Sequence, residues 1–220
     1  MKESENGFPI PYHLSIAQLA IMCNSNKMPD FAVACEALTQ QKNHAAYEIL
    51  KSHIHDKDKY RRLYVLKKIF RMPYASELAE EVENAVMSDD VLFVSTGLSI
   101  AYKYNIPLPE NAIKSAIDKH YNNLYDEHKI LNLLSVNENN YSFLCNLLCK
   151  AAGSIQQEIA AEVLFKNYQS IHAPDLFVIF SQSKNPKVRR FAVLLGREFG
   201  YDLSTFQNDT DGHIRKMIEP

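Results

Sequence analysis

Three groups of acidic and imidazole side chains in this chain have types and spacings that chemistry could use. His53 and His55 stand at i and i+2. On a helix those positions point about 200° apart, so both reach one ion only if the helix unwinds. No Cys or carboxylate stands near them at a standard zinc spacing. The pair predicts no metal site. Asp209-Thr210-Asp211-Gly212 has part of the pattern of a calcium loop. Placing Gly212 at the sixth loop position puts Gln207 first and Ile218 twelfth, and both essential oxygen ligands fail. The segment reads instead as a turn that caps a helix. Glu77, Glu80, Glu81 and Glu83 offer paired carboxylates for acid–base work. They lie opposite Leu78, Val82 and Val86, however, and read as a solvated helix face. The glycine-rich nucleotide cradles and the GxSxG elbow are absent from the sequence. The expectation is a non-enzyme with no catalytic residue, no cofactor and no metal.

The remaining asymmetry is positive charge. Residues 51–71 carry eight Lys or Arg against two Asp. Lys57, Arg61, Tyr64, Lys68 and Arg71 fall at i, i+4, i+7, i+11 and i+14, which is one helical stripe. Lys187, Arg190 and Arg197 form a second. Cations with an aromatic between them can grip phosphates; equally, a charged stripe opposite a core can simply be solvated. These eight residues are the candidate partner-binding positions.

Bulk properties set the background. The 220 residues are 46% hydrophobic and 23% charged, with formal net charge −2. A sequence pI near 6.4 counts against a dedicated nucleic-acid binder, which usually carries a basic excess. Cys23, Cys35, Cys145 and Cys149 contain no CxxC pair. The i, i+4 spacing of Cys145 and Cys149 is poor disulfide geometry on a helix, so reduced thiols and a cytoplasmic setting are expected. The N-terminal stretch does not read as a signal peptide, and no run approaches the 18 apolar residues of a membrane span.

The elements that must position these side chains all read as helices. After a loose tail over 1–11, a single domain over 12–220 is expected. The pattern predicts helices over Leu14–Cys23, Met28–Gln40, Asn43–His55, Lys59–Met72, Ser76–Met87 with Ser76 as N-cap, Val91–Tyr104, Glu110–Tyr121, His128–Leu134, Asn139–Ala152, Ile155–Tyr168 capped by Ser154, and Leu176–Ser181. A short Asp202–Phe206 segment and a last helix capped at 209–211 close the chain. Gly97 interrupts an almost wholly apolar helix, at a cost of about 1 kcal/mol relative to Ala, and therefore marks a close approach between helices. Tight acidic or Asn/Ser-bearing turns at 56–58, 88–90, 125–127, 153–154, 183–185 and 209–211 alternate with looser, often Pro-bearing links. A two-helix unit recurring about every 30 residues is the pattern of a solenoid.

One stretch is sharper than the rest. In Asn185-Pro186-Lys187-Val188-Arg189-Arg190-Phe191-Ala192-Val193-Leu194-Leu195-Gly196, Asn185 is a good N-cap and Pro186 suits the first helical position. Val188, Phe191, Ala192, Leu195 and Phe199 line one face, and Gly200 can close the helix. This stretch resembles the second helix of a HEAT repeat, with weaker matches at 56–70 and 209–218. The turn residue of that pattern is matched by Asp58, Asp90, Asn185 and Asp211, and its basic residue by Arg62, Arg189 and Arg215. Val94 stands near the expected basic place after Asp90, so the resemblance implies a ladder between repeats that is broken in the centre. It further implies second helices on a concave face and first helices on a convex one. It implies no reaction. HEAT-like oxygenases use His-Glu pairs that do not occur here. Helical-repeat DNA glycosylases use lesion-binding aromatics that include Trp, and this chain has none.

These readings converge on an all-α, right-handed α-α superhelix of about six antiparallel helix pairs. The expected function is a non-catalytic scaffold that presents a concave surface to a protein or peptide, the alternative being a nucleic-acid-binding or repair module using the basic stripes. Without a ligand set of correct spacing, a chelator should leave the melting temperature unchanged, because no ion then favours the folded state. A drop of several degrees in EDTA, restored by zinc, would return His53 and His55 as ligands.

Overall fold

The computed structural model describes residues 9–124, 131, 133–134, 138–151 and 153–219. Among them are twelve α-helices and no strand. They are α1 Ile16–Cys23, α2 Met28–Gln41, α3 His44–Ser52, α4 Lys59–Ile69, α5 Ala79–Val86, α6 Val91–Tyr104, α7 Glu110–His120, α8 Glu138–Lys150, α9 Ser154–Asn167, α10 Ala173–Ser181, α11 Pro186–Phe199 and α12 Gly212–Ile218. Four short 3₁₀ turns join them at Ala75–Leu78, Tyr121–Asn123, Ser170–His172 and Ser204–Phe206. No described helix is long and apolar enough to cross a membrane. The chain divides into two compact units, Met1–Ala112 and Ile113–Pro220.

Four of the tight turns start helices by one device. Asp58, Asp90, Asn185 and Asp211 all have extended backbone, and each side chain accepts a backbone N–H two residues on, from Tyr60, Leu92, Lys187 and His213 respectively. Each satisfies an N–H that the helix itself leaves without a partner. Two serines expected to do the same do not. Ser76 lies inside the Ala75–Leu78 3₁₀ turn, and α5 starts at Ala79 with no side-chain cap. Ser154 is the first residue of α9, and its N-cap is Gly153. The helix expected over His128–Leu134, and the turn before it, lie largely outside the described residues.

Unit 1 is organised around α2. Every residue from Phe31 to Thr39 is buried, as expected of a helix enclosed on all sides. It packs against α1, α3 and α4. Gly97 of α6 does mark a close approach. A Cβ there would stand 2.8 Å from Val86 Cγ2 and 3.1 Å from the Val82 carbonyl oxygen of α5. In unit 2, α10 packs on α11, and α11 also touches α9 and α12. Gly200 ends α11 at φ 73°, a left-handed conformation that glycine adopts without steric cost.

Within each unit, polar contacts recur between residues about one helix pair apart. In unit 1, Lys59 Nζ is 3.0 Å from Asp90 Oδ2, a separation of 31 residues, and Tyr47 Oη is 3.5 Å from Glu77 Oε2, a separation of 30. In unit 2, Asn185 Nδ2 donates to the Ser154 carbonyl at 2.8 Å across 31 residues, and Lys187 Nζ is 2.6 Å from Glu158 Oε2 across 29. The N-cap carboxylate of Asp90 thus serves two partners. Lys59, and then the Leu92 N–H, hold it below the usual carboxylate range. The cap should outweigh the exposed ion pair. Asp90→Ala should lower the unfolding free energy by about 0.5–2 kcal/mol, whereas Asp90→Asn, which keeps the cap and loses only the charge, should stay within about 0.5 kcal/mol. Urea melts of the two variants check this; equal losses would assign the stability to the Lys59 pair.

Candidate basic groove

The tight turns carry a second recurring contact. The fourth residue after the N-cap is Arg in three cases, and its Nη1 reaches back over the turn. Arg62 Nη1 donates to the Asp56 carbonyl at 2.7 Å and to that of Lys57 at 3.3 Å. Arg189 Nη1 donates to the carbonyls of Ser183 at 2.9 Å and Lys184 at 3.0 Å. Arg215 Nη1 donates to the carbonyl of Asp209. The i−6 carbonyl is taken each time, so the turn's carbonyls gain side-chain donors. Val94 occupies the equivalent place in α6 and has no such group. Arg189 alone adds a fork onto Asp209, with Nε to Oδ2 and Nη2 to Oδ1 both 2.7 Å. This bidentate geometry is the strong form of the ion pair. It holds the Asp209 carboxyl below its ordinary range against the opposing effect of burial.

The first basic stripe is largely directed into unit 1. Lys57 is exposed but lies in the turn before α4 rather than on the helix. Arg61 lays its guanidinium 4.0 Å over the Phe31 ring, sits 3.5 Å from Asp56 Oδ2 and donates to the Cys23 carbonyl. Burial alone would raise the Asp56 carboxyl; the Asp58 N–H, His53 and Arg61 together bring it below its ordinary value. Tyr64 packs edge-on to Phe31, ring centroids 6.3 Å apart. Lys68 is 2% exposed, and its Nζ is 2.7 Å from Glu36 Oε2 on the enclosed α2. Arg71 approaches the other oxygen of Glu36 at 3.4 Å and is itself exposed. A carboxylate inside the apolar run Phe31–Leu38 must be paired, and Glu36 is the sequence signal that one cation of the stripe turns inward.

The second stripe is at the surface of unit 2. Lys187, Arg190 and Arg197 are all exposed on α11. Lys187 and Arg190 join Pro186 and Leu194 of α11, the N-cap Asp211, and His213, Lys216 and Met217 of α12 to line a groove of 730 Å³. That volume lies within the span of about 300–1,000 Å³ typical of ligand clefts. Arg197 is not part of its lining. Lys187 is shared with Glu158, whereas Arg190 and Lys216 have no ion-pair partner among the described residues. Asp211 directs its carboxylate to the N–H groups of His213 and Ile214. His213, Lys216 and Met217 leave no mark in the spacing of the stripe, because α12 reaches α11 only through the fold.

His53 and His55 face different carboxylates. His53 Nδ1 is 3.3 Å from Asp56 Oδ2, and His55 Nε2 is 3.3 Å from Glu81 Oε1. No cluster of three or more His, Cys, Asp or Glu suited to a metal occurs among the described residues.

No family model matches the chain, and no curated protein matches it in sequence. Among solved structures it is similar to the X-ray structure of YibA of Escherichia coli, at 17% identity and a TM-score of 0.56, over 89% of this chain and 75% of that one. A likeness at that identity concerns the fold alone, an all-helical one of helical-repeat-like character.

The buried pair offers a direct test. Glu36→Leu leaves Lys68 in the interior without its carboxylate and should lower stability by about 3–5 kcal/mol, while Glu36→Leu with Lys68→Met should recover most of the loss. Chemical denaturation of both variants reads this. A double variant no more stable than the single one would show that the two groups are not a unit.

Proposed function

We propose that the chain is a non-catalytic binding scaffold, a HEAT-like stack of antiparallel helix pairs coiled into a right-handed superhelix, whose concave helical surface holds a protein or peptide partner. The observation that carries this reading is the inward use of the first basic stripe. A phosphate grip needs cations free to exchange counterions for phosphate. Arg61 and Lys68 are instead matched by Asp56 and Glu36 inside unit 1. Tyr64 packs on Phe31 rather than standing clear as a stacking platform. The turn with its back-reaching arginine, present at Arg62, Arg189 and Arg215, supports a stack of like units. All four cysteines are free thiols, which agrees with a cytoplasmic setting.

The runner-up is a nucleic-acid module, and one observation favours it: Lys187, Arg190 and Lys216 converge on a single groove. Salt dependence separates the two readings. Labelled duplex and single-stranded DNA and RNA would be titrated between about 50 and 200 mM salt, where each phosphate contact contributes close to −0.9 to the slope on duplex DNA. The scaffold reading expects at most weak, non-specific binding that Lys57→Glu, Arg190→Glu and Arg197→Glu each change little. Sub-micromolar binding near physiological salt, with the slope reduced by about one in each charge reversal, would establish the runner-up instead.

A further inference from the structure

We infer that the groove between α11 and α12 is a docking site for an acidic linear peptide that carries aliphatic side chains. The inference rests on the scaffold reading and gives its partner a chemistry. Three cations line the groove, Lys187, Arg190 and Lys216; the carboxylates against them are Asp211 in the lining and Glu158 beside it, which holds Lys187 at 2.6 Å. The Asp211 carboxylate is already hydrogen-bonded to two N–H groups at the start of α12. Arg190 and Lys216 have no carboxylate of their own among the described residues. The local charge is therefore positive in a chain whose net charge is −2. Complementary charge steers encounter and sets register more than it supplies affinity.

The apolar part of the lining decides which anion fits. Pro186, Leu194 and Met217 are partly exposed aliphatic surface, and the His213 imidazole is the single aromatic ring among the lining residues, with no Phe, Tyr or Trp beside it. Single-stranded nucleic acid is held by stacking its bases on such rings. A peptide of alternating carboxylate and aliphatic side chains uses both kinds of surface present here. Met217 adds a flexible thioether that can adjust to such side chains. Lys187, Arg190 and Leu194 stand at i, i+3 and i+7 and share a helix face. Their span of about 10 Å along α11 matches three to four residues of extended chain. Contacts this few predict an affinity set mainly by dissociation rate and sensitive to salt.

The test uses the full chain and a fluorescein-labelled synthetic peptide of repeating Glu-Leu-Glu, with its Gln-Leu-Gln counterpart and a single-stranded oligonucleotide of equal length. Binding of the Glu peptide should exceed that of the Gln peptide by about three- to tenfold, the contribution of two exposed charge pairs. Arg190→Glu and Lys216→Glu should each abolish that preference. Lys184→Glu, an equal charge change outside the groove, should leave it within about twofold. All three positions are exposed, and circular dichroism melts verify that the variants fold. Glu-peptide binding that survives both groove reversals would overturn the groove site while leaving the scaffold reading intact. Oligonucleotide binding lost in both reversals, without peptide binding, would overturn both in favour of the nucleic-acid reading. No binding of the Glu peptide at all would overturn the groove proposal alone.

Discussion

A helix begins with N–H groups that have no carbonyl to meet, and a turn ends with carbonyls that have no N–H. At Asp58, Asn185 and Asp211 one short segment answers both needs. The N-cap side chain takes an N–H at the start of the helix, and the arginine four residues later supplies donors to the carbonyls behind it. This pairing satisfies both ends of the turn ahead of α4, α11 and α12 from within the turn itself. Val94 breaks the pattern after Asp90, where Lys59, the first residue of α4, takes hold of the N-cap carboxylate. The Lys59 ion pair joins the starts of α4 and α6, whereas the arginine closes its own turn and, at Arg189, also reaches Asp209 ahead of α12.

The two basic stripes look alike in sequence and differ in the place of their central residues. Each is a row of cations at helical spacing on a helix that follows a capped turn. In α4, Arg61, Tyr64 and Lys68 face α2, where Glu36 and Phe31 offer a carboxylate and a π-face, while Lys57 and Arg71 at the two ends of the row are exposed. In α11 the row faces outward, because the side of that helix that meets α10 is aliphatic and aromatic. The difference lies in the neighbour, which is invisible in the spacing of the row itself.

The helices and most of their turns are legible because capping is local chemistry. Asp or Asn before an apolar-periodic run is read within four residues, and Gly97 within one helix pair. Ser76 and Ser154 mislead for the same reason. Serine is a good cap by propensity, yet a 3₁₀ turn ahead of α5 and a glycine ahead of α9 supply the entry geometry instead. The groove is half legible. Lys187 and Arg190 announce themselves on α11, but its other wall comes from a helix of seven residues, too short for its pattern to orient it. Long-range partners such as Glu36 for Lys68 leave only an indirect trace, a charge where the surrounding run says there should be none.

Arg61 has a consequence for how unit 1 comes apart. Local opening starts where few contacts hold a segment. The Arg61 guanidinium joins the carbonyl that closes α1, the Phe31 ring of α2 and the Asp56 carboxylate ahead of α4. One side chain thus staples the first pair to the second. Separating α1 and α2 from α4 exposes that cation's partners, so the amides of the three helices should exchange with solvent in one opening event, as one foldon.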